Sequence, residues 1–491
     1  MNDFPYPEIQ SFERLQVSDG LMINSERWRL AHEYHQQRQN VQFQSLFLPG
    51  IICGLGVAPI EAPADLPAKF RDGRWVQIQP GIAIDLYGNF IVVPTPLDFR
   101  ISTAAYDRQI ELVYLVLSYV DPAKLKRAAS NEVLVETFRV NEKTDPPVDT
   151  DIEICRIAIA EGGLEIQKPA DLFVPTLSEL DMRYRLKAKL RPENTIRIAY
   201  FRDHPNSDRP NSDRQNLEIA IHQNFKFLGQ AISSLAPSLS LADKIGNLDL
   251  QAELTPSQLL PYQLIYLNNA QAATLNEATQ LALREYVDHG GLILIETDIH
   301  NTKLENLLAV KYELQSANAK LKKNSASQFN DQFNGSGADY SSMQAEIQSE
   351  IEAISIEVQS QADEFLATFK SNLPMEAPMR NFAELERNHP LRSQPFLFAN
   401  LPMIIEQPIQ VLTNGGIITI FGFLSELWGG LADIQELSRE QIRTFQELGI
   451  NILNYAAQRH AIASSMQINP KYASNATATS DQRRITNMTA S

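Results

Sequence analysis

The chain has 491 residues, of which 44% are hydrophobic and 21% are charged. This length allows roughly two to four domains, and the composition is that of a globular protein with more than one apolar core. The 43 Lys and Arg residues against 59 Asp and Glu residues leave a net charge of -16. A surface with that charge repels phosphate backbones, so the composition argues against a nucleic-acid-binding protein.

The cysteine count, the apolar runs and the N-terminus disfavour further classes of protein. Cys53 and Cys155 are the 2 cysteines of the chain, too few for a disulfide framework or a Cys-based zinc site. A membrane-spanning helix needs about 18 or more apolar residues in a row, and the nearest run, 417–434, contains Ser425 and Asp433. The N-terminus also lacks the basic and apolar regions of a signal peptide. We therefore expect a cytoplasmic protein.

The N-terminal part of the chain changes from a helical to a strand-like pattern. A helix capped by Asn24 or Ser25 is predicted, because aromatic and apolar residues follow at spacings of three and four up to Val41. Beyond it, short β-branched runs alternate with Gly, Pro and Asn, which is typical of strands and tight turns. We predict an N-terminal arm and helix over 1–44 and a β-rich domain over 45–185.

The second half of the chain alternates between strand and helix patterns. A capping box, Thr274 to Glu277, is predicted to begin a helix that ends at Gly290. Short connections between strands and helices predict a mostly parallel sheet that is covered on both faces. The fold class is therefore multidomain α+β, with an α/β domain over 190–311 and 379–460. Its strands are predicted at 196–201, 262–267, 292–296 and 417–421.

An insertion over 312–378 interrupts the α/β domain, and a polar tail follows it over 461–491. The insertion contains a long polar helix with a narrow apolar stripe, which suits a partner helix or a coiled coil. Long insertions in compact domains are often functional. We expect the stripe to contact a neighbouring chain, with packing on its own domain as the alternative. The stripe consists of Ile347, Ile351, Ile354, Val358 and Phe365.

Polar residues follow the predicted strands of the α/β domain. The carboxyl ends of parallel strands meet at one edge of a sheet, where ligands bind. Such a cluster could hold a divalent metal or supply acid–base groups, but loops at this edge also face water and cap helices, which is the interpretation that we favour. No nucleophile elbow follows the most buried strand, and both cysteines are expected in the core. We therefore predict no catalytic residue, cofactor or bound metal. The cluster consists of Asp203, His204, Glu296, Asp298 and His300.

Two stretches resemble known families. Residues 30–160 contain a Cys-Gly-Leu turn at 53–55 and a Pro-Gly-x-Ala-x-Asp strand at 80–85, in that order. This stretch resembles a domain found with contractile injection systems, phage-tail-like particles in which a sheath drives an inner tube through a membrane. The resemblance implies a structural subunit of such a particle.

The second half is similar to an uncharacterised family whose fold resembles class I glutamine amidotransferases. The similarity is carried by the Gly290-Gly291 strand entry, by Asn-His-Pro-Leu at 388–391 and by the segment 448–455. The acidic pair of that family is spread over 296–298 here, and no amidotransferase Cys can be carried over. The resemblance implies the fold and not the activity.

Together the resemblances imply a non-enzymatic, baseplate-associated subunit that acts through protein–protein contacts. The implied partners are baseplate, tube or sheath proteins and further copies of the chain, without nucleic acid. The implied location is the cytoplasm, in a large particle that contacts a membrane only through the assembly. The alternative is a soluble hydrolase or transferase that has an amidotransferase-like fold and uses the strand-end carboxylates.

Overall fold

The chain forms two compact units, Met1–Arg191 and Pro192–Ser491. The computed structural model describes residues 6–8, 10–105, 110–121, 135–148, 150–160, 165–202, 211–299, 302–328, 337–373, 378–404, 407–422, 424–429, 431–432 and 435–466.

The first unit contains one long helix and a set of short strands. Helix α1 spans Ser25–Leu46, and the side chain of its cap Asn24 accepts a hydrogen bond from the Arg27 backbone N–H at 2.9 Å, as predicted. The strands are β1 (Phe47–Leu48), β2 (Gly50–Gly54), β3 (Val57–Pro59), β4 (Trp75–Ile78), β5 (Gly81–Ile84), β6 (Phe90–Val93), β7 (Leu97–Arg100), β8 (Glu111–Val120), β9 (Thr137–Lys143), β10 (Asp151–Ile159), β11 (Leu180–Asp181) and β12 (Lys189–Leu190).

The strands of the first unit form small antiparallel sheets around one apolar core, which confirms the predicted β-rich region. Their orders are β11-β10-β8-β9, β2-β5-β6, β3-β4-β7 and β1-β12. Cys155 on β10 is fully buried in the core, as expected. The expectation was wrong for Cys53, which is exposed. The register of the edge strand β2 shifts between Ile51 and Cys53, and the last three residues of this strand are exposed.

The second unit alternates helices and strands and is built on one large sheet. Its helices are α2 (Asn211–Leu235), α3 (Pro256–Leu259), α4 (Asn269–Ala273), α5 (Glu277–Asp288), α6 (Lys303–Gln328), α7 (Gly337–Ala367), α8 (Pro390–Ser393), α9 (Leu424–Leu427) and α10 (Arg439–Met466). Its strands are β13 (Asn194–Ile196), β14 (Ile198–Arg202), β15 (Leu239–Leu241), β16 (Gly246–Asp249), β17 (Leu264–Asn268), β18 (Leu292–Thr297), β19 (Arg380–Asn381), β20 (Met403–Ile404), β21 (Gln407–Pro408), β22 (Gln410–Thr413), β23 (Ile417–Phe421), β24 (Leu431–Ala432) and β25 (Gln435–Glu436).

The seven-stranded sheet has the order β16-β14-β17-β18-β23-β22-β19. Its first five strands pair in parallel, and β22 and β19 extend it with antiparallel pairs. Helices α2 and α10 supply apolar residues to one face, and α5, α6 and α7 supply them to the other. The predicted mostly parallel sheet is thus present as a mixed sheet that is covered on both faces.

One predicted helix start differs from the structure. Thr274 is the C-terminal cap of the short helix α4, so the expected capping box from Thr274 to Glu277 does not form. Helix α5 is capped instead by Asn276, whose side chain accepts a hydrogen bond from the Thr279 N–H at 2.8 Å. The end of α5 follows the prediction, because Gly290 has a φ of 90°, a conformation that favours glycine.

Helices α6 and α7 form an antiparallel hairpin within the second unit. Lys303 pairs with Glu357 at 2.5 Å, and the Asn318 amide donates to Gln348 at 3.2 Å near the other end. Hairpin and sheet share one core on the face that α5 also covers.

The apolar stripe of α7 packs against its own unit. Ile351 and Val358 are 7% and 1% exposed, and Ile354 and Phe365 pack against the core of that face. Ile347 is half-buried. The expectation that this stripe contacts a neighbouring chain is therefore wrong, because the apolar strands beneath the hairpin need the same stripe as cover.

Candidate functional site

The predicted cluster follows the carboxyl ends of the parallel strands. Asp203, His204 and His300 lie outside the described residues, so the structure places Glu296 and Asp298. Asp298 is exposed, whereas Glu296 has no exposed surface. Exposure was therefore wrongly expected for Glu296. Strand β18 continues through Thr297, and residue 296 still alternates onto the sheet face that α2 and α10 cover.

The carboxylate of Glu296 accepts three hydrogen bonds from its own chain. The Ser425 backbone N–H donates to Oε1 at 2.8 Å, and the Ser425 hydroxyl donates to Oε2 at 2.6 Å. The Tyr266 hydroxyl also donates to Oε2, at 2.9 Å. Tyr266 belongs to β17 and Ser425 to the short helix α9, so the carboxylate connects β17, β18 and the segment after β23.

Burial dominates the electrostatics of this network. It raises the pKa of Glu296 to about 7, against the opposing effect of the hydrogen bonds from Ser425 and Tyr266. The nearby charge of Glu426 raises the pKa further. Burial and the carboxylate of Glu296 together raise the pKa of Tyr266 well above its usual range. Near neutral pH, both protonation states of Glu296 are therefore populated.

Aromatic side chains surround the network. The ring of Phe225 lies 5.9 Å from that of Tyr266 and 5.3 Å from that of Trp428. The Trp428 indole N–H donates to the Phe445 carbonyl at 3.1 Å, which ties α10 to the same place. A carboxyl group enclosed in this way has its partners inside the protein and no surface that a substrate can meet. The arrangement is suited to holding the end of the sheet together.

The described residues contain no group of three or more His, Cys, Asp or Glu side chains that could hold a metal ion. Within the same residues, no helix is both long enough and apolar enough to cross a membrane.

A second feature, which the sequence analysis missed, is an apolar loop in the first unit. In this apolar loop, residues 171–177, Leu172, Phe173 and Val174 are 60%, 78% and 62% exposed. Leu177 at its end is 48% exposed. An apolar run normally indicates a buried strand; here the flanking Asp171 and Pro175 could have indicated a turn.

Polar side chains hold the backbone of the apolar loop. Asp171 accepts a hydrogen bond from the Phe173 N–H at 2.8 Å, and Glu179 accepts one from the Thr176 N–H at 2.7 Å. The Arg183 guanidinium donates to the Phe173 carbonyl at 2.7 Å. Arg183 in turn donates to both carboxylate oxygens of Asp181, at 3.0 and 2.8 Å, and lowers the pKa of that carboxyl group. The loop thus has a defined conformation while its apolar side chains face solvent.

No family model matches this chain, and no curated protein matches it.

Proposed function

We propose that the chain is a structural, non-enzymatic subunit of a contractile injection particle, associated with its baseplate and acting through protein–protein contacts. The observation that carries the protein-contact part of this proposal is the apolar loop. The assignment to a contractile particle rests on the resemblance of residues 30–160 to a domain found with such systems.

The apolar loop has the properties of a contact surface. Clustered apolar side chains on a protein surface mark sites of interaction. Burial of a Leu or Phe side chain in an interface contributes roughly 1.5–3 kcal/mol. Since the hydrogen bonds from Arg183 and to Asp171 and Glu179 already order the loop, little conformational entropy remains to be lost on binding.

The alternative, a hydrolase or transferase that uses strand-end carboxylates, receives less support. A general acid or base must lie within hydrogen-bond reach of a substrate. Glu296 has no exposed surface, and both of its oxygens accept hydrogen bonds from Ser425 or Tyr266. Burial raises the pKa of Glu296 and outweighs the opposing effect of those hydrogen bonds.

We also infer that the second unit has a class I amidotransferase-like fold. Numbered by their position in the chain, its five parallel strands lie in the order second, first, third, fourth, fifth. This is a doubly wound order, with helices on both faces. The order supports the fold class that the motifs at 290–291, 388–391 and 448–455 suggest.

The partners that we propose are baseplate, tube or sheath proteins and further copies of the chain. Within such a particle the chain lies in the cytoplasm and reaches a membrane only through the assembly. Nucleic acid is not among the proposed partners, because the net charge of -16 disfavours it.

The test is purification of the tagged full chain from its native cells, followed by mass measurement, electron microscopy and identification of co-purifying proteins. We expect a large particle that contains sheath and tube proteins. The variant Phe173→Asp should be recovered mainly as free chain, because a charge replaces the most exposed apolar side chain of the loop.

The matched control is Val92→Asp on β6, an exposed apolar residue of the same unit at 49% exposure. It should leave incorporation into the particle unchanged. Recovery of the wild-type chain as a small free species would contradict the structural role. Equal incorporation of the Phe173 variant and the wild type would remove the apolar loop as its basis.

A further inference from the structure

An open groove of about 620 Å³ lies in the second unit between the α6–α7 hairpin and the antiparallel end of the sheet. This volume is within the range of small-molecule sites. Along α7, lining residues run from Ser355 to Asp363, which corresponds to about 12 Å of helix. The groove is lined by Lys311, Ser355, Ile356, Gln359, Ser360, Asp363, Asn381, Ala383, Glu384 and Gln410.

Two side chains of the groove, Lys311 and Gln410, carry hydrogen-bond donors that have no partner among the described residues. Gln410 begins β22 and is 6% exposed, and Lys311 on α6 is half-buried. Across the described part of the chain, neither side chain makes a hydrogen bond or an ion pair. A protonated Lys offers three N–H donors and a Gln amide two more, against a single amide oxygen as acceptor. The floor of the groove is therefore rich in unused donors.

The acidic residues of the groove lie at its exposed rim and are partnered. Asp363 accepts a hydrogen bond from the Gln359 amide at 3.1 Å, and Glu384 accepts one from the Asn381 N–H at 3.2 Å. Burial alone lowers the pKa of Lys311, without a contribution from a neighbouring carboxylate. The rim carboxylates thus do not neutralise the ammonium group at the floor.

A half-buried lysine by itself is not unusual, because its long stem lets the ammonium group reach water. Gln410 adds a second donor: a strand fixes its backbone, and only 6% of the residue is exposed, so its amide meets solvent only through the groove. A donor that is partly withdrawn from water forms a stronger hydrogen bond with a ligand acceptor than a fully hydrated donor does. The two side chains line the same groove and present donors of the same kind to a ligand.

We propose that this groove binds a small polar ligand through an oxyanion, a carboxylate or a phosphate, which accepts hydrogen bonds from Lys311 and Gln410. The remainder of the ligand lies along α7, where Ser360 and Gln359 offer polar contacts. This binding site is independent of the proposed structural role.

The experiment is isothermal titration calorimetry of the full chain with inorganic phosphate and, separately, with succinate, at pH 7 and constant ionic strength. We expect saturable binding of at least one probe, and the stronger probe identifies the class of oxyanion. Lys311→Met keeps most of the apolar stem and should weaken binding at least about tenfold, as expected for loss of a charged hydrogen bond. Gln410→Ala should weaken binding in the same direction.

The matched control is Lys303→Met, which removes an ammonium group from the same helix outside the groove and should change affinity less than about twofold. Saturable binding that survives both Lys311→Met and Gln410→Ala would overturn the proposal. So would the absence of saturable binding for both probes.

A second measurement on the wild-type chain guards against a variant that fails to fold. Acetic anhydride labelling followed by mass spectrometry measures the reactivity of each lysine with and without the bound probe. Protection of Lys311 but not of Lys303 supports the site, and equal protection of the two lysines overturns it.

Discussion

Glu296 and the apolar loop both depart from the usual distribution of polar and apolar groups, in opposite directions. A carboxyl group lies in the core of the second unit without any exposed surface, whereas Phe173 in the first unit is 78% exposed. Each is surrounded by hydrogen bonds from its own chain. The difference lies in what those bonds satisfy.

At Glu296 the hydrogen bonds satisfy the carboxyl group itself. In the apolar loop they satisfy only the backbone, and not the exposed apolar side chains. Ser425 and Tyr266 donate to the carboxylate of Glu296, so the group needs nothing from outside the chain. Arg183 and Asp171 hold the backbone at Phe173, but the side chain of Phe173 remains largely exposed. The buried carboxylate is thus satisfied within its own unit, whereas the exposed ring is the group for which we propose a partner.

The largest expected effect on the free energy of unfolding comes from placing a carboxylate in the core at a position where no hydrogen-bond donor is provided for it. Val358 is 1% exposed and packs against the sheet, so Val358→Asp should lower the free energy of unfolding by more than about 4 kcal/mol. The control is Ile356→Asp, two residues earlier on α7 and 74% exposed, which should change it by less than about 0.5 kcal/mol. Urea unfolding measures both. Equal effects would show that α7 does not pack on its own unit.

Removing the carboxylate of Glu296, which accepts hydrogen bonds from Ser425 and Tyr266, should have the next largest effect on the free energy of unfolding. Glu296→Ala leaves the two Ser425 donors and the Tyr266 hydroxyl buried without an acceptor. We expect a loss of roughly 3–5 kcal/mol in the free energy of unfolding. Asp298→Ala, at the exposed position after the same strand, should cost less than about 1 kcal/mol. Chemical denaturation of the two variants tests this difference, and a mild effect of Glu296→Ala would contradict the network.

The pH dependence of stability should follow the raised pKa of Glu296. Its pKa is about 7 in the fold and 4.5 ordinarily, so the fold disfavours the ionised form. Stability from this group is fully present below pH 4.5 and is lost as the pH rises through 7, by roughly 3 kcal/mol in total.

Glu296→Gln should remove this contribution, because its amide can keep the contacts without titrating. The measurement compares urea unfolding of wild type and variant at pH 4.5 and pH 8. An identical pH dependence of the two proteins would mean that Glu296 does not titrate in this range.

The smallest expected effect belongs to the apolar loop. Leu172→Ser should change the free energy of unfolding by less than about 0.5 kcal/mol, since the side chain is 60% exposed in the isolated chain. Leu115→Ser in the fully buried centre of β8 should cost at least about 2 kcal/mol. Thermal or urea unfolding of the two Leu variants checks the contrast. A large loss from Leu172→Ser would show that the loop belongs to the core of its own unit.

Local patterns in the sequence were sufficient to predict an element where the interaction that defines it joins residues that are neighbours along the chain. Strand β23 was predicted at its observed bounds, and the cap of α1 and the glycine after α5 were also predicted. In each case the decisive interaction spans only a few residues: a run of β-branched side chains, an Asn side chain that reaches Arg27, or a backbone angle at Gly290.

The sequence by itself thus determined the β-rich first part, the strand–helix alternation of the second and the existence of an amphipathic helix in the insertion. It did not determine which surface covers that helix, because an apolar stripe has the same pattern whether a sheet or another chain packs on it. The burial of Glu296 was also decided by the tertiary structure, since its donors Tyr266 and Ser425 lie 30 and 129 residues away in the chain. The shared groove of Lys311 and Gln410 is a further case, because the two residues are brought together only when the hairpin packs on the sheet.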